Sequence, residues 1–344
     1  MNIAHLLISR QFTGAERYAT EIASASAARH KVTFIANQGP DSIFDVLRDE
    51  LDPAVDLVPV RTVRTRRFLR RLCAERQIDI IHCHDGVACR LVRANPWATP
   101  SFVSVYRWET PRVSSLHIQY RPRSHRHFEG LIAVGKWQLK DMAGHYYGAQ
   151  THVPVFYTPH PKLKADRRAS LRGEFTNDEN CTLVATIGRL HPVKGHDVLI
   201  DAFAQAKLKN TKLVIFGEGE ERAALEQQAA QSGADIMFAG HRPNVRDLLQ
   251  VMDVFVSSAR FEPGGMAIAE AMEVGLPIIA TRSQAGIEWA EHFPITLVDV
   301  DDVSGLTLAL KAVELEPVAY DLTPFTADNT ARRIEDFYQQ VLSR

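Results

Sequence analysis

The sequence predicts an α/β protein of two doubly wound, Rossmann-like domains facing a cleft, and three observations carry the prediction. Short apolar runs of strand length alternate with helical stretches along the chain, the pattern of parallel sheets with helical crossovers. At 344 residues the chain exceeds one ordinary hydrophobic core and suits two. The charge is also divided. Residues 1–160 carry 21 Lys and Arg against 14 Asp and Glu, and the remainder 19 against 27, so a net charge of −1 hides a basic half and an acidic half.

Composition narrows the class. Hydrophobic residues make up 45% and charged residues 24% of the chain, as in soluble globular proteins. No apolar run approaches the length that crosses a bilayer. The opening MNIAHLLISRQ lacks a basic region before its apolar run, so it reads as a strand rather than a signal or transit peptide. Cys73, Cys83, Cys89 and Cys181 contain no Cys-x-x-Cys pair and suggest no disulfide framework. The expected location is the cytoplasm.

The first domain is assigned to residues 1–162. Ile3–Ile8 reads as a strand, followed by a loop and a helix from Ala15 to Ala28, which places Gly14 where a ligand can meet a helix N-terminus. Further strands are expected at Val32–Ala36, Leu57–Val60, Ile78–Cys83, Phe102–Tyr106 and Leu131–Val134. His82 and His84 are two apart and share a strand face. A third ligand at suitable spacing is not evident, so no metal site is expected. Thr62–Gln77 is an arginine-rich helical stretch, with Arg64, Arg66, Arg67, Arg70, Arg71 and Arg76 interrupted by Phe68, Leu69 and Leu72. Arg121, Arg123 and Arg126, with His125 and His127, form a second basic cluster. Such helices suit an anionic membrane surface or an anionic substrate as well as a plain solvated face. Nucleic acid is not expected, because the second half is acidic and carries no nucleic-acid motif.

Thr158–Pro161 followed by the polar Lys162–Arg172 reads as a linker, with the second domain at residues 163–325. A strand at Leu183–Ile187 leads into GRLHPVKG and a helix from Asp197 to Ala206. Arg189 and Lys194 project two cations from this glycine-bounded turn, Arg as a fork and Lys as a point charge, which suits a diphosphate. After Leu213–Phe216, Gly217-Glu218-Gly219 lacks the third glycine of a dinucleotide fingerprint, since Arg222 stands there. NAD is therefore not expected, and no Walker-type motif occurs. Ile236–Gly240, Val254–Ser257, Ile278–Thr281 and Ile295–Val300 continue the strands. Between them, FEPGGMAIAEAMEVGLP sets Glu262 in a loop before a Pro-Gly-Gly turn and a helix stopped by Gly275 and Pro277. Gly264 and Gly265 are expected to leave N–H groups open at the positive helix end for an anion. Glu270 lies about a turn inside. The arrangement suits a phosphorylated sugar held by its phosphate, with hydroxyls accepted by carboxylates. Residues 326–344 form an amphipathic helix with Ile334, Phe337, Tyr338 and Val341 on one face.

Glu262-x(7)-Glu270, followed by Ala-Met-x-x-Gly-x-Pro, resembles the signature of retaining glycosyltransferases of the GT-B fold, family 4. GRLHPVKG resembles that family's Gly-Arg-Leu-x-x-x-Lys-Gly motif, and IDIIHCHD its Asp-hydrophobic-hydrophobic-His-x-His strand. FTGAERYATEIA resembles its Gly-Gly-x-Glu-Arg opening with one of two glycines. The resemblance implies that Arg189 and Lys194 bind the donor pyrophosphate, Glu262 the donor sugar and Glu270 the ribose. Arg189, Lys194 and Glu262 are the implied catalytic groups. Gly14, Gly188, Gly264, Gly265 and Met266 would surround the donor, with Gly240, His241 and Arg242 along its base. His82, His84, Tyr106 and Arg107 are the acceptor-side candidates. FVSVYRWETP departs from the family pattern, whose strand there ends with a histidine near the reacting centre; Tyr106 and Arg107 stand in that neighbourhood.

The implied reaction moves a hexose-type sugar from a nucleoside diphosphate, UDP or GDP, to a glycan or lipid-linked acceptor, such as a lipopolysaccharide precursor. Neither a metal nor another cofactor is implied, since fixed cations face the leaving diphosphate. The last helix would cross back to the first domain, and the Arg64–Arg71 helix would touch the inner face of the cytoplasmic membrane. Two rival readings share the fold: a sugar-nucleotide epimerase, for which no acid/base pair is evident, and a sugar-nucleotide-binding subunit without activity.

Overall fold

The structure is a computed structural model describing residues 1–61, 65–92 and 108–344. It divides into two compact units, Met1–Thr158 with Pro324–Arg344, and Pro159–Thr323. Among the described residues, no helix is long and apolar enough to cross a membrane.

The strands of the first unit are β1 (Asn2–Leu7), β2 (Lys31–Asn37), β3 (Asp56–Val60), β4 (Ile80–Cys83), β5 (Arg112–Leu116), β6 (Gly130–Ala133) and β7 (Ala149–His152). They form one parallel sheet in the order β3-β2-β1-β4-β5-β6-β7. Every residue of β4, β5 and β6 is buried, as expected of a parallel sheet covered on both faces. One core cluster gathers Leu6, Leu69, Ile81 and Leu131, and another Leu7, Ala19, Phe34 and Leu47. The expected strand at Phe102–Tyr106 lies outside the described residues. The neighbour that pairs with β4 is Arg112–Leu116, with Ile81 opposite Arg112.

The last helix, Ala327–Leu342, belongs to this unit. Ile334, Phe337, Tyr338 and Val341 are buried, and each apolar side chain of this kind contributes about 1.5–3 kcal/mol. Phe337 and Val341 lie against Gly130 so closely that a Cβ there would stand 2.8 Å from Val341 Cγ2. Arg29 donates to Glu335 and Asp328, and Ser26 Oγ donates to Glu335 at 2.8 Å, tying this helix to the Gly14–Ala27 helix and the turn after it.

The second unit holds β8 (Thr182–Ile187), β9 (Thr211–Phe216), β10 (Ile236–Gly240), β11 (Val254–Ser257), β12 (Ile278–Thr281) and β13 (Thr296–Val298), parallel in the order β10-β9-β8-β11-β12-β13. The polar Lys162–Arg172 stretch is not all linker, because Ala165–Arg172 is a helix of this unit. Leu171 is fully buried, and Arg172 donates to Asp253 and to the carbonyls of Val251 and Cys181. One apolar residue and one forked ion pair dock a helix whose composition alone reads as solvated.

Candidate active site

Two loops of the second unit meet at the carboxyl ends of adjacent strands. After β8, Gly188 N donates to Phe216 O at 3.0 Å, and Leu190 buries its side chain while its N–H donates to Glu218 O at 2.9 Å. Pro192–Lys194 forms a single 3₁₀ turn, and Gly195 takes φ +62° at the start of the helix His196–Ala206. A Cβ on Gly195 would stand 2.2 Å from the Ser258 carbonyl oxygen, so only glycine allows this approach. Ser258 Oγ donates to Lys194 O at 3.0 Å, and Arg260 N donates to Val193 O at 2.8 Å. Arg260 also locks the loop from outside. Its guanidinium donates to Asp197, Asp301 and the Pro192 carbonyl, and this pairing draws the half-buried Asp197 carboxyl below its usual range against the opposing effect of burial.

These contacts bring the Lys194 ammonium onto the Glu262 carboxylate as an ion pair. The other Glu262 oxygen accepts the Gly265 N–H at 3.3 Å. The expectation of open N–H groups at this turn is therefore corrected at Gly265, whose N–H is met by the chain's own carboxylate, as favoured at a positive helix end. Gly265 has φ +76°, and a Cβ there would crowd Ala285 at 2.8 Å. Trp289 Nε1 donates to Gly264 O at 3.0 Å, fixing the turn before the helix Met266–Glu273. Thr186, Lys194, His196, Ser258, Glu262 and Gly265 line one small open pocket.

His196 escaped the sequence reading. It is buried, and neither ring nitrogen finds a hydrogen-bond partner among the described residues. Burial, and then the Lys194 charge, lower its pKa from 6.5 to about 4, against an opposing pull from the nearby Arg189 and Gly188 backbone. The other residues expected in this unit do not line the pocket. Arg189 is exposed on the same loop, Met266 opens the helix half-buried, and Glu270 is buried in its second turn. Gly240 has φ +71°, His241 is exposed, and Arg242 is held by Glu174 at 2.7 Å.

In the first unit Gly14 is exposed at the start of its helix, beside Thr13, whose N–H and hydroxyl donate to Glu16 at 3.0 and 2.5 Å. His82 and His84 are buried rather than open to an acceptor. His82 is bonded to Tyr338 Oη at 2.6 Å and Ser115 Oγ at 2.8 Å, and His84 Nε2 to His5 Nδ1 at 2.9 Å. Burial holds both well below the usual imidazole range, and brings His5 down to about 3. The third histidine, not evident from spacing, comes from β1, where His5 pairs with His82. Tyr106 and Arg107 lie outside the described residues. His117 directly follows Leu116, the last residue of β5, the strand beside β4. Its ring lies edge-on to Tyr18 at 4.8 Å, and burial lowers its pKa to about 4.

The family description Glycosyltransferase Family 4 matches residues 12–163, and Glycosyl transferases group 1 matches residues 168–317. The chain carries a glycosyltransferase family 4 domain followed by a glycosyl transferases group 1 domain. The match extends over both units and takes in the Gly188–Gly195 and Phe261–Pro277 loops. The chain is 32% identical over 146 residues to the lipopolysaccharide core biosynthesis glycosyltransferase LpsE of Rhizobium meliloti, covering 41% of this chain and 42% of LpsE. It is 30% identical over 183 residues to LpsD of the same organism, covering 50% and 52%. The matched stretches thus span about half of these relatives. The solved structure of Anabaena HepE with UDP and glucose superposes with a TM-score of 0.75 at 21% identity, covering 100% of this chain and 98% of that one. The fold is GT-B.

Proposed function

We propose that this protein is a retaining glycosyltransferase of family 4. It moves a hexose-type sugar from a nucleoside diphosphate to a glycan or lipid-linked acceptor of the cell envelope. The observation that carries the reading is the Lys194–Glu262 pair, which caps the Gly265 N–H inside one pocket. A diphosphate entering that pocket competes with Glu262 for the ammonium and the helix N-terminus. Glu262 is then released to accept donor sugar hydroxyls. Arg189 closes over the diphosphate from the exposed side of the loop, and the two cations with the helix end stabilise charge developing on the leaving group. No metal is needed for that step. Glu270 holds the ribose, with Gly240, His241 and Arg242 along the base, and Gly188 near the phosphates.

UDP as the nucleotude is supported by the HepE complex, and an envelope acceptor by the names of the Rhizobium relatives. On the acceptor side, His117 takes the position that the family resemblance gives to the strand-ending histidine. The protein would work at the cytoplasmic face of the membrane, with the helix Thr65–Glu75 as the docking surface: Arg67, Phe68 and Arg71 are exposed there, while Leu72 faces the core.

Incubation with labelled UDP- and GDP-sugars in the absence of acceptor tests the reading. Slow release of free sugar by wild type, lost in Lys194→Ala, supports a transferase. An isomeric sugar nucleotide would point to an epimerase, and no turnover together with intact donor binding would point to a binding subunit. Proton spectra of the transfer product then report whether the anomeric configuration is retained.

A further inference from the structure

We propose that His5, His82 and His84 form a binding site for a zinc-class divalent cation inside the Met1–Thr158 unit. The strand register creates the site. β1 runs beside β4 with His5 opposite His82, and the two-residue period of β4 brings His84 to the same face. One ring nitrogen from each of the three lies within 4.8 Å of the others, and all three side chains are buried. The rings crowd, with centroids 4.1 Å apart for His82 and His84, 5.2 Å for His5 and His84, and 5.3 Å for His5 and His82.

Packing alone would explain stacked imidazoles, but it does not explain their hydrogen bonding. The His5 Nδ1 to His84 Nε2 bond leaves His5 Nε2 and His84 Nδ1 buried with no hydrogen-bond partner among the described residues. Buried polar atoms are almost always satisfied, so the cluster is incomplete as it stands: with both rings neutral, one orphaned nitrogen is an N–H and the other a lone pair, and an ion held between the rings would take the place of the bond that joins them. His82 is equipped differently. Its two nitrogens meet the Tyr338 and Ser115 hydroxyls, so either can turn to an ion while the other keeps a hydroxyl that fixes the ring, the usual support for a ligating histidine. Three imidazoles without a thiolate or carboxylate select zinc, cobalt, nickel or copper over magnesium or calcium. A tetrahedral ion on three such ligands retains one position for water. An ion here would join β1 to β4 and, through Tyr338, the sheet to the last helix. Its role is to stiffen this unit, separate from the donor chemistry of the second unit.

The experiment loads full-length protein with zinc or cobalt during refolding from denaturant, removes loose ions by chelator and desalting, and measures metal content by mass spectrometry. The expected result is a single retained ion per chain, a tetrahedral cobalt absorption band and a raised melting temperature. All three should be lost in His5→Asn and His84→Asn. Wild type that retains no ion, or variants that retain it unchanged, overturns the proposal. Should the variants fail to fold, proton–nitrogen spectra of wild type answer the same question. The ring-nitrogen resonances of the buried imidazoles must move on loading, and an ion that leaves them unmoved sits elsewhere and overturns the site.

Discussion

Lys194 and Glu262 stand 68 positions apart in the chain and pair because Gly195 lets one loop touch the Ser258 backbone of the next. If a diphosphate replaces Glu262 at that ammonium, Lys194→Ala and Arg189→Ala should each lower kcat/KM by about 10²-fold, the usual loss on removing one charge-stabilising donor. Steady-state kinetics with the active donor checks this, and unchanged turnover in both variants would sink it. Glu262 and Glu270 should separate on ligands. Calorimetric titration should find bare nucleoside diphosphate binding weakened by Glu270→Ala and spared or improved by Glu262→Gln, which frees Lys194. Intact donor should suffer from Glu262→Gln. Equal losses on both ligands would contradict the division. His196 gives a stability signature. Its folded pKa of about 4 lies below the ordinary 6.5, so the unfolded chain binds the proton first as pH falls. The stability is complete above pH 6.5 and is lost on the way down to about 4, amounting to roughly 2 kcal/mol at pH 5. Urea unfolding at pH 7 and pH 5 should show wild type losing about that much more than His196→Gln; parallel losses would refute it.

At the scale of elements, strands of β-branched and large apolar residues were readable because both faces are buried, as in β1, β2 and β8. β5 escaped because Arg112-Val-Ser-Ser-Leu is polar by composition, although every residue is buried. Its serines are satisfied inside, Ser115 by His82 and Ser114 beside Cys89, and Arg112 by Glu129. Missing β5 also hid His117, the residue that directly follows it. β7, Ala-Gln-Thr-His, carries the weak pattern of an edge strand. The Gly188–Gly195 and Phe261–Pro277 loops stood out in the sequence for the opposite reason, since glycine, cation and acid sit at fixed offsets within a few residues. His5 could not be found this way, because its partners lie across a sheet register that spacing does not encode. The last helix makes the element-scale prediction. Phe337 is buried against Gly130, so Phe337→Ala should cost about 3–5 kcal/mol and lower the melting temperature of the Met1–Thr158 unit, while Gln340→Ala on the exposed face leaves it unchanged.

Over the whole molecule the charge divides, and the surplus of cations lies in the first half of the chain. The helix Thr65–Glu75 concentrates it. Leu69, Leu72 and Cys73 face the core, and Arg67, Phe68 and Arg71 are exposed, with Phe68 39% accessible. Not every arginine is equally available. Arg66 donates to the Arg90 carbonyl at 2.6 Å, and Arg71 pairs with Glu75 on the helix itself. An anionic headgroup must therefore compete for Arg71, and Phe68 becomes the apolar contact in place of Leu72. Binding to vesicles containing anionic lipid should be strong at low salt and fall steeply as the Debye length shrinks to about 10 Å at 0.1 M. The variant Arg67→Gln, Phe68→Ser, Arg71→Gln keeps the buried face intact, so its folding should match wild type. Co-sedimentation should show the variant failing to bind vesicles while it still turns over a water-soluble acceptor. If wild type ignores anionic vesicles at low salt and the variant loses turnover on the soluble acceptor, these residues grip the acceptor itself and the membrane reading is wrong.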